Sequence, residues 1–105
     1  MKELVLALLL VPALAAAADL EVALSIKDHK FSPAEIKVPA GKKVKLVVSN
    51  LDSTPEEFES TELNREKLIA ANGKANVYIG PLSPGRYPFW GEFNEKSARG
   101  VIVVE

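Results

Sequence analysis

Apolar and polar residues alternate along most of this chain with the period of two that is typical of β-strands. The clearest run contains Val44, Leu46 and Val48, with Lys43 and Lys45 on the opposite face. Turn residues rich in proline and glycine separate this run from its neighbours. Similar alternation occurs at Leu20–Ile26, Ile36–Val38, Val77–Ile79 and Tyr87–Phe89, and an apolar run, Val101–Val104, closes the chain.

One stretch, Leu63 to Lys67, lacks this alternation and has helix-forming residues, with Ser60 or Thr61 as a candidate cap. It is long enough for only a turn or two of helix. The whole pattern therefore predicts an all-β protein, a Greek-key β-sandwich of about seven strands with one short helical turn.

The first residues have a different character. Residues 1–18 contain Lys2, an apolar run from Leu4 to Val11 and an alanine-rich stretch that ends in Ala16-x-Ala18. This order is that of a secretory signal peptide, and the apolar run is shorter than the roughly 20 residues of a membrane span. We therefore expect residues 19–105 to form one periplasmic or secreted domain that does not insert into the membrane.

Composition excludes several classes of function. The chain has no cysteine and a single histidine, and its net charge is −1. A thiol enzyme or a thiolate-bound metal needs cysteine, and binding to nucleic acid needs a basic surface. There is no Ser/His/Asp set and no glycine-rich phosphate loop, so we predict no catalytic residues.

Several local motifs occur in a fixed order. They are Phe31-Ser-Pro33, Ile36-Lys-Val-Pro-Ala-Gly41, Val44-Lys-Leu-Val-Val-Ser-Asn50, Pro55-Glu-Glu-Phe58, Pro84-Gly-Arg-Tyr-Pro-Phe89 and Gly100-Val-Ile-Val-Val104. In this order they resemble the cupredoxin family of plastocyanin- and azurin-like sandwiches. The similarity covers about residues 20–105 and is closest to small exported cupredoxin-like proteins that are associated with high-affinity iron permease systems.

The resemblance implies where a copper site would lie. In the blue-copper members, the ligands are a histidine, a cysteine, a second histidine and usually a methionine. Carried over, the first three positions fall on Glu56, Gly91 and Asn94, and the fourth falls near Ala98 or Arg99. All four ligands are absent here. Because a type 1 copper needs a thiolate, electron transfer through such a site is excluded.

Oxygen and nitrogen ligands are present in the same segments. Glu56 shares a strand face with the core residue Phe58, whereas Glu57 and Glu59 point outward. The resemblance places the segment around His29 and the last loop, with Glu92, at the same end. Imidazole and carboxylates suit Fe(II), Mn(II) or Cu(II), so we predict a metal site formed by Glu56, His29 and Glu92.

Two functions remain in view. The first is an exported accessory protein that binds copper or iron for uptake. Its partner would be a membrane iron permease or another exported protein, and it could assist the oxidation of ferrous iron. The second is a cupredoxin scaffold that has lost its metal and serves as a protein-interaction module.

Overall fold

The computed structural model describes residues 20–105, so the predicted signal peptide at 1–18 lies outside the described residues. More than half of the described residues lie in strands, and one short 3-10 helix precedes the last strand. The strands are β1 (Leu20–Lys27), β2 (Lys30–Ser32), β3 (Glu35–Val38), β4 (Val44–Asn50), β5 (Glu56–Ser60), β6 (Arg65–Ile69), β7 (Lys74–Ile79), β8 (Gly85–Gly91) and β9 (Arg99–Val104), and the 3-10 helix is Glu92–Asn94.

The strands form two sheets. One sheet has the order β2-β1-β4-β7 and the other the order β3-β9-β8-β5-β6. The pairs β1–β4 and β3–β9 are parallel, and the remaining pairs are antiparallel. Because strands that are distant in sequence pair within each sheet, loops from several parts of the chain meet at the ends of the sandwich.

Most of the core consists of apolar residues that the alternation assigned to one face of a strand, and Leu63, Ile69 and Ala98 are buried with them. Val44, Leu46 and Val48 are all buried on β4. Three aromatic rings lie at the centre: Phe89 stands 5.0 Å from both Phe31 and Phe58, measured between ring centroids. The prediction of an all-β sandwich is confirmed, with nine strands within residues 20–105 rather than about seven.

The predicted helical turn at Leu63–Lys67 is wrong. Residues 61–64 form a turn, and β6 begins at Arg65 and pairs antiparallel with β5 from Ser60↔Arg65 to Glu56↔Ile69. So short a helix is marginal, because a first helical turn costs more backbone entropy than its single hydrogen bond returns. As a strand, the same residues form a full ladder of hydrogen bonds with β5, which is more favourable than a single helical turn. Ser60 stabilises the preceding turn, because its Oγ accepts the Leu63 N–H.

The helical residues that the structure does contain are Glu92–Asn94 in the β8–β9 connection, a segment that the sequence assigned to a loop. No helix within residues 20–105 has the length and the apolar character needed to cross a membrane.

Candidate functional site

The loop end of the sandwich is the end at which β5 begins, β8 ends and the 3-10 helix leads into β9. The connection between β8 and β9 is tight, because the N–H of Gly91 donates to the Ala98 carbonyl and the N–H of Ala98 donates to the Asn94 carbonyl. These bonds hold Gly91, Asn94 and Ala98 beside the first residue of β5, which is Glu56.

Glu56 is 2% exposed, as its shared face with Phe58 predicts. Its Oε1 accepts hydrogen bonds from the backbone N–H of Phe93 at 2.8 Å and of Glu57 at 2.9 Å. Its Oε2 accepts from the Asn94 side-chain amide at 2.8 Å. Among the described residues, no buried side-chain nitrogen or oxygen lacks a partner. The carboxylate is therefore satisfied by protein donors alone.

The absence of a side chain at Gly91 makes room for this arrangement. A Cβ built on Gly91 would lie 2.6 Å from Cδ of Glu56 and 2.8 Å from Cβ of Ala98. Atoms at these separations overlap, so the Glu56 carboxyl group fills the space that a side chain at Gly91 would need. Three positions to which the copper ligands carry over, Glu56, Gly91 and Asn94, are thus neighbours, and Ala98, one of the two candidates for the fourth position, lies beside them.

These residues do not fit a type 1 copper. Gly91 and Ala98 supply no ligand atom, and the chain contains no thiolate. The oxygens of Glu56 already accept three hydrogen bonds, and the amide nitrogen of Asn94 is turned toward them as a donor.

His29 lies in the exposed turn between β1 and β2. Its side chain is 46% exposed, and its Nδ1 lies 3.6 Å from Oδ2 of Asp52. Asp52 also accepts the backbone N–H groups of Asp28 and His29, at 2.7 and 3.0 Å. The hydrogen bond from the His29 backbone is the main reason why the pKa of Asp52 is lowered from its usual value. The sequence prediction missed this partner of His29.

Glu92 is exposed on the 3-10 helix, where its Oε1 accepts the indole N–H of Trp90 at 2.9 Å. The three predicted ligands are therefore not brought together: His29 pairs with Asp52, Glu56 is enclosed, and Glu92 faces the outer side of the sheet. Within residues 20–105, the one group of three or more ligand side chains whose donor atoms all lie within 4.8 Å of one another is Glu57, Glu59 and Glu66.

That group lies on the outer face of the β8–β5–β6 part of the sheet. Glu59 of β5 stands opposite Glu66 of β6 on one side and opposite Trp90 of β8 on the other. Glu59, Glu66, Trp90 and Glu92 also line an open groove of about 600 Å³. We refer to Glu57, Glu59 and Glu66 as the outer carboxylates.

The outer carboxylates repel one another. Partial burial raises the pKa of Glu57 and of Glu59 above the usual 4.5, and the charge of Glu66 raises both further. Among the described residues, none of the three forms an ion pair with a lysine or an arginine. Alternation along β5 had predicted that Glu57 and Glu59 point outward, but Glu66 was missed because its segment was predicted to be helical.

Comparison with known proteins adds a family and a fold. A family model described as a cupredoxin-like domain matches residues 3–104. The uncharacterized protein RP394 of Rickettsia prowazekii (strain Madrid E) is 45% identical over 85 residues, which are 81% of this chain and 68% of that protein.

Solved structures with the same fold are far more distant in sequence. Auracyanin A, a blue copper protein from Chloroflexus aurantiacus, superposes with a TM-score of 0.72 at 12% identity and covers 84% of this chain and 100% of its own. The metal-binding domain of the Cu(I)-exporting P-type ATPase CopA of Streptococcus pneumoniae D39 gives 0.72 at 16% identity, covering 81% and 84%. Amicyanin from Paracoccus versutus gives 0.62 at 19% identity, covering 85% and 88%.

Proposed function

Because this chain belongs to the cupredoxin-like domain family and yet lacks the residues that hold a type 1 copper, we propose that it is an exported accessory protein that captures iron or Cu(II) through its outer carboxylates. The role is capture and transfer for uptake, without a catalytic step of its own. A membrane permease or another exported protein is the proposed recipient of the ion. The signal-like sequence at 1–18 supports the proposed export.

The observation that carries this proposal is the convergence of Glu57, Glu59 and Glu66, whose oxygens lie within 4.8 Å of one another. Three carboxylates at this spacing can share one cation, and binding a cation relieves their mutual repulsion. Carboxylate oxygens are ligands for hard and borderline cations, and Cu(II) binds most tightly among the divalent ions of the first transition row. Because Glu66 is exposed and the groove is open, we expect modest affinity and rapid release.

The deciding experiment is a calorimetric titration of the purified protein with Cu(II) and, under anaerobic conditions, with Fe(II). Glu57→Gln, Glu59→Gln and Glu66→Gln should each weaken binding, because each removes one anionic ligand. Glu35→Gln is the matched control: Glu35 is an exposed carboxylate on β3, the strand at the opposite edge of the same sheet. His29→Ala tests the sequence-predicted ligand and should leave binding unchanged.

Protons compete with the metal for the same oxygens, so the titration should depend on pH. Since the pKa values of Glu57 and Glu59 are raised, affinity should begin to fall above pH 4.5 and should be lost below it. Weaker metal binding in His29→Ala would instead identify the imidazole as a ligand. If the parent protein binds neither ion, the metal-capture proposal is wrong.

The second candidate function is a metal-free interaction module that docks a basic partner. It is favoured by the indole of Trp90, which lines the same groove as Glu59, Glu66 and Glu92. An aromatic ring flanked by carboxylates suits a lysine or arginine side chain. The interaction-module function replaces metal capture if the parent protein binds neither Cu(II) nor Fe(II), and if a lysine-rich peptide binds the parent but not Glu59→Gln.

A further inference from the structure

Three segments of the chain converge on one buried side chain at the loop end. Glu56 begins β5, Phe93 and Asn94 belong to the 3-10 helix, and Gly91 ends β8. The family resemblance assigns the metal ligands of blue-copper proteins to three of these four positions. A bound ion at this point would tie the segments together through its ligands. In this chain the segments are joined instead by the carboxylate oxygens of Glu56 and their donors.

We infer that the Glu56 carboxylate takes the place of a metal ion at this end of the sandwich, joining β5 to the β8–β9 connection by hydrogen bonds so that the end is held together without metal. This inference goes beyond the proposed function, because it concerns a different site and a structural role.

Most of the hydrogen-bonding capacity of the carboxylate is already in use. Three N–H donors approach its two oxygens at 2.8–2.9 Å, which is the distance of charge-assisted hydrogen bonds. A metal on Oε1 would have to displace the N–H groups of Phe93 and Glu57, and a metal on Oε2 would compete with the Asn94 amide. Leaving partly buried N–H groups unpaired is costly, so the protein donors oppose metal binding at this carboxylate.

Free volume beside the carboxyl group is also lacking. The carboxyl carbon of Glu56 lies so close to Gly91 that even a methyl group there would overlap with it and with Ala98. Glycine at position 91 and alanine at position 98 are therefore matched to the buried carboxyl group. The small residues and the carboxylate form one packed unit.

A double-mutant cycle between Glu56 and Asn94 tests the inference. Asn94→Asp places a second carboxylate beside that of Glu56, and the repulsion between the two should destabilise the protein strongly. Glu56→Gln keeps one oxygen for the Phe93 and Glu57 N–H groups, and rotation of the Asn94 amide can restore the remaining bond, so this variant should be mild. In the combined variant, the new amide can donate to the new carboxylate, so most of the loss caused by Asn94→Asp should be recovered.

The readouts are the denaturation midpoint and the exchange rate of the Phe93 backbone N–H. Asn94→Asp should raise the equilibrium constant for unfolding by about 100-fold. In the combined variant, this constant should be lower than in Asn94→Asp by about tenfold or more. Glu56→Ala should speed exchange of the Phe93 N–H, because that group loses its acceptor. Glu57→Gln, on the outward face of the same strand, is the matched control and should leave this exchange rate unchanged.

Metal dependence separates this inference from the alternative. If Glu56 replaces the metal, a chelator should leave the midpoint of the parent unchanged, and Glu56→Gln should leave Cu(II) and Fe(II) binding unchanged. A midpoint that falls on chelation, together with lost metal binding in Glu56→Gln, would overturn the inference and restore Glu56 as a ligand. Additivity of the two substitutions in the cycle would also overturn it. Neither outcome depends on the outer carboxylates, so the proposed function stands or fails separately.

Discussion

Phe89 holds the central position in the core, and its replacement tests the fold more sharply than any other change. Its side chain is fully buried, and its ring stacks on Phe58 at an interplanar angle of 22° and meets Phe31 edge-on at 80°. Phe→Ala at a buried site costs about 3–5 kcal/mol. The loss of two aromatic pairs, each worth about 0.5–1.5 kcal/mol beyond burial, places Phe89→Ala at the upper end of that range.

A small domain has a total stability of about 5–15 kcal/mol, so Phe89→Ala can unfold the protein altogether. Phe89→Leu keeps most of the volume and should cost about 1–2 kcal/mol, which leaves a measurable transition. The matched control is Phe93→Ala, because the Phe93 ring is 53% exposed. Its effect should stay within about 0.5 kcal/mol, as for other surface changes. Urea denaturation followed by tryptophan fluorescence measures all three, and equal midpoints for Phe89→Leu and Phe93→Ala would refute the strand phase of β8.

Two further predictions concern the charge and ligand chemistry of the protein. Loaded with Cu(II), it should show no intense blue charge-transfer band in the visible spectrum, because no thiolate is available; such a band would contradict a ligand set of carboxylate oxygens. Glu59→Gln should stabilise the protein at pH 7, because partial burial and the charges of Glu66 and Glu57 raise the pKa of Glu59 and disfavour its ionised form in the folded state. This gain is fully present above the raised pKa and should vanish below pH 4.5; a gain that persists at pH 3.5 would show that charge is not its cause.

Most of the sandwich could be predicted from the sequence because burial in a strand is a local property with a period of two. The alternating runs placed their apolar faces correctly, from Ile36 and Val38 on β3 to Val44, Leu46 and Val48 on β4. The prediction failed at β6, where four of the five residues are exposed. The residues Arg65 to Leu68 of this edge strand are exposed on both faces, so they show no hydrophobic alternation, and they have high helix propensity.

The same distinction explains what could be predicted of the candidate sites. That Glu56 faces inward follows from its two-residue spacing from Phe58, which is local. That Glu66 joins Glu57 and Glu59 depends on the register between β5 and β6, which the misassigned helix concealed. The contact of His29 with Asp52 was hidden for a similar reason. It depends on the parallel pairing of β1 with β4, which ends at Ile26↔Asn50 and leaves the two following loops side by side.

The sequence prediction of three metal ligands assumed that each side chain is free to bind a metal. In the structure they are not all free. A carboxylate inside the sandwich must find hydrogen-bond donors, and Glu56 finds them in the Phe93 N–H and the Asn94 amide of the chain itself. Once those bonds form, the enclosed carboxylate is no longer available to a metal. A cation is then left with carboxylates that water still reaches, which are those on the outer face. Burial, rather than residue type, therefore separates the glutamates of this chain into a structural group and a candidate binding group.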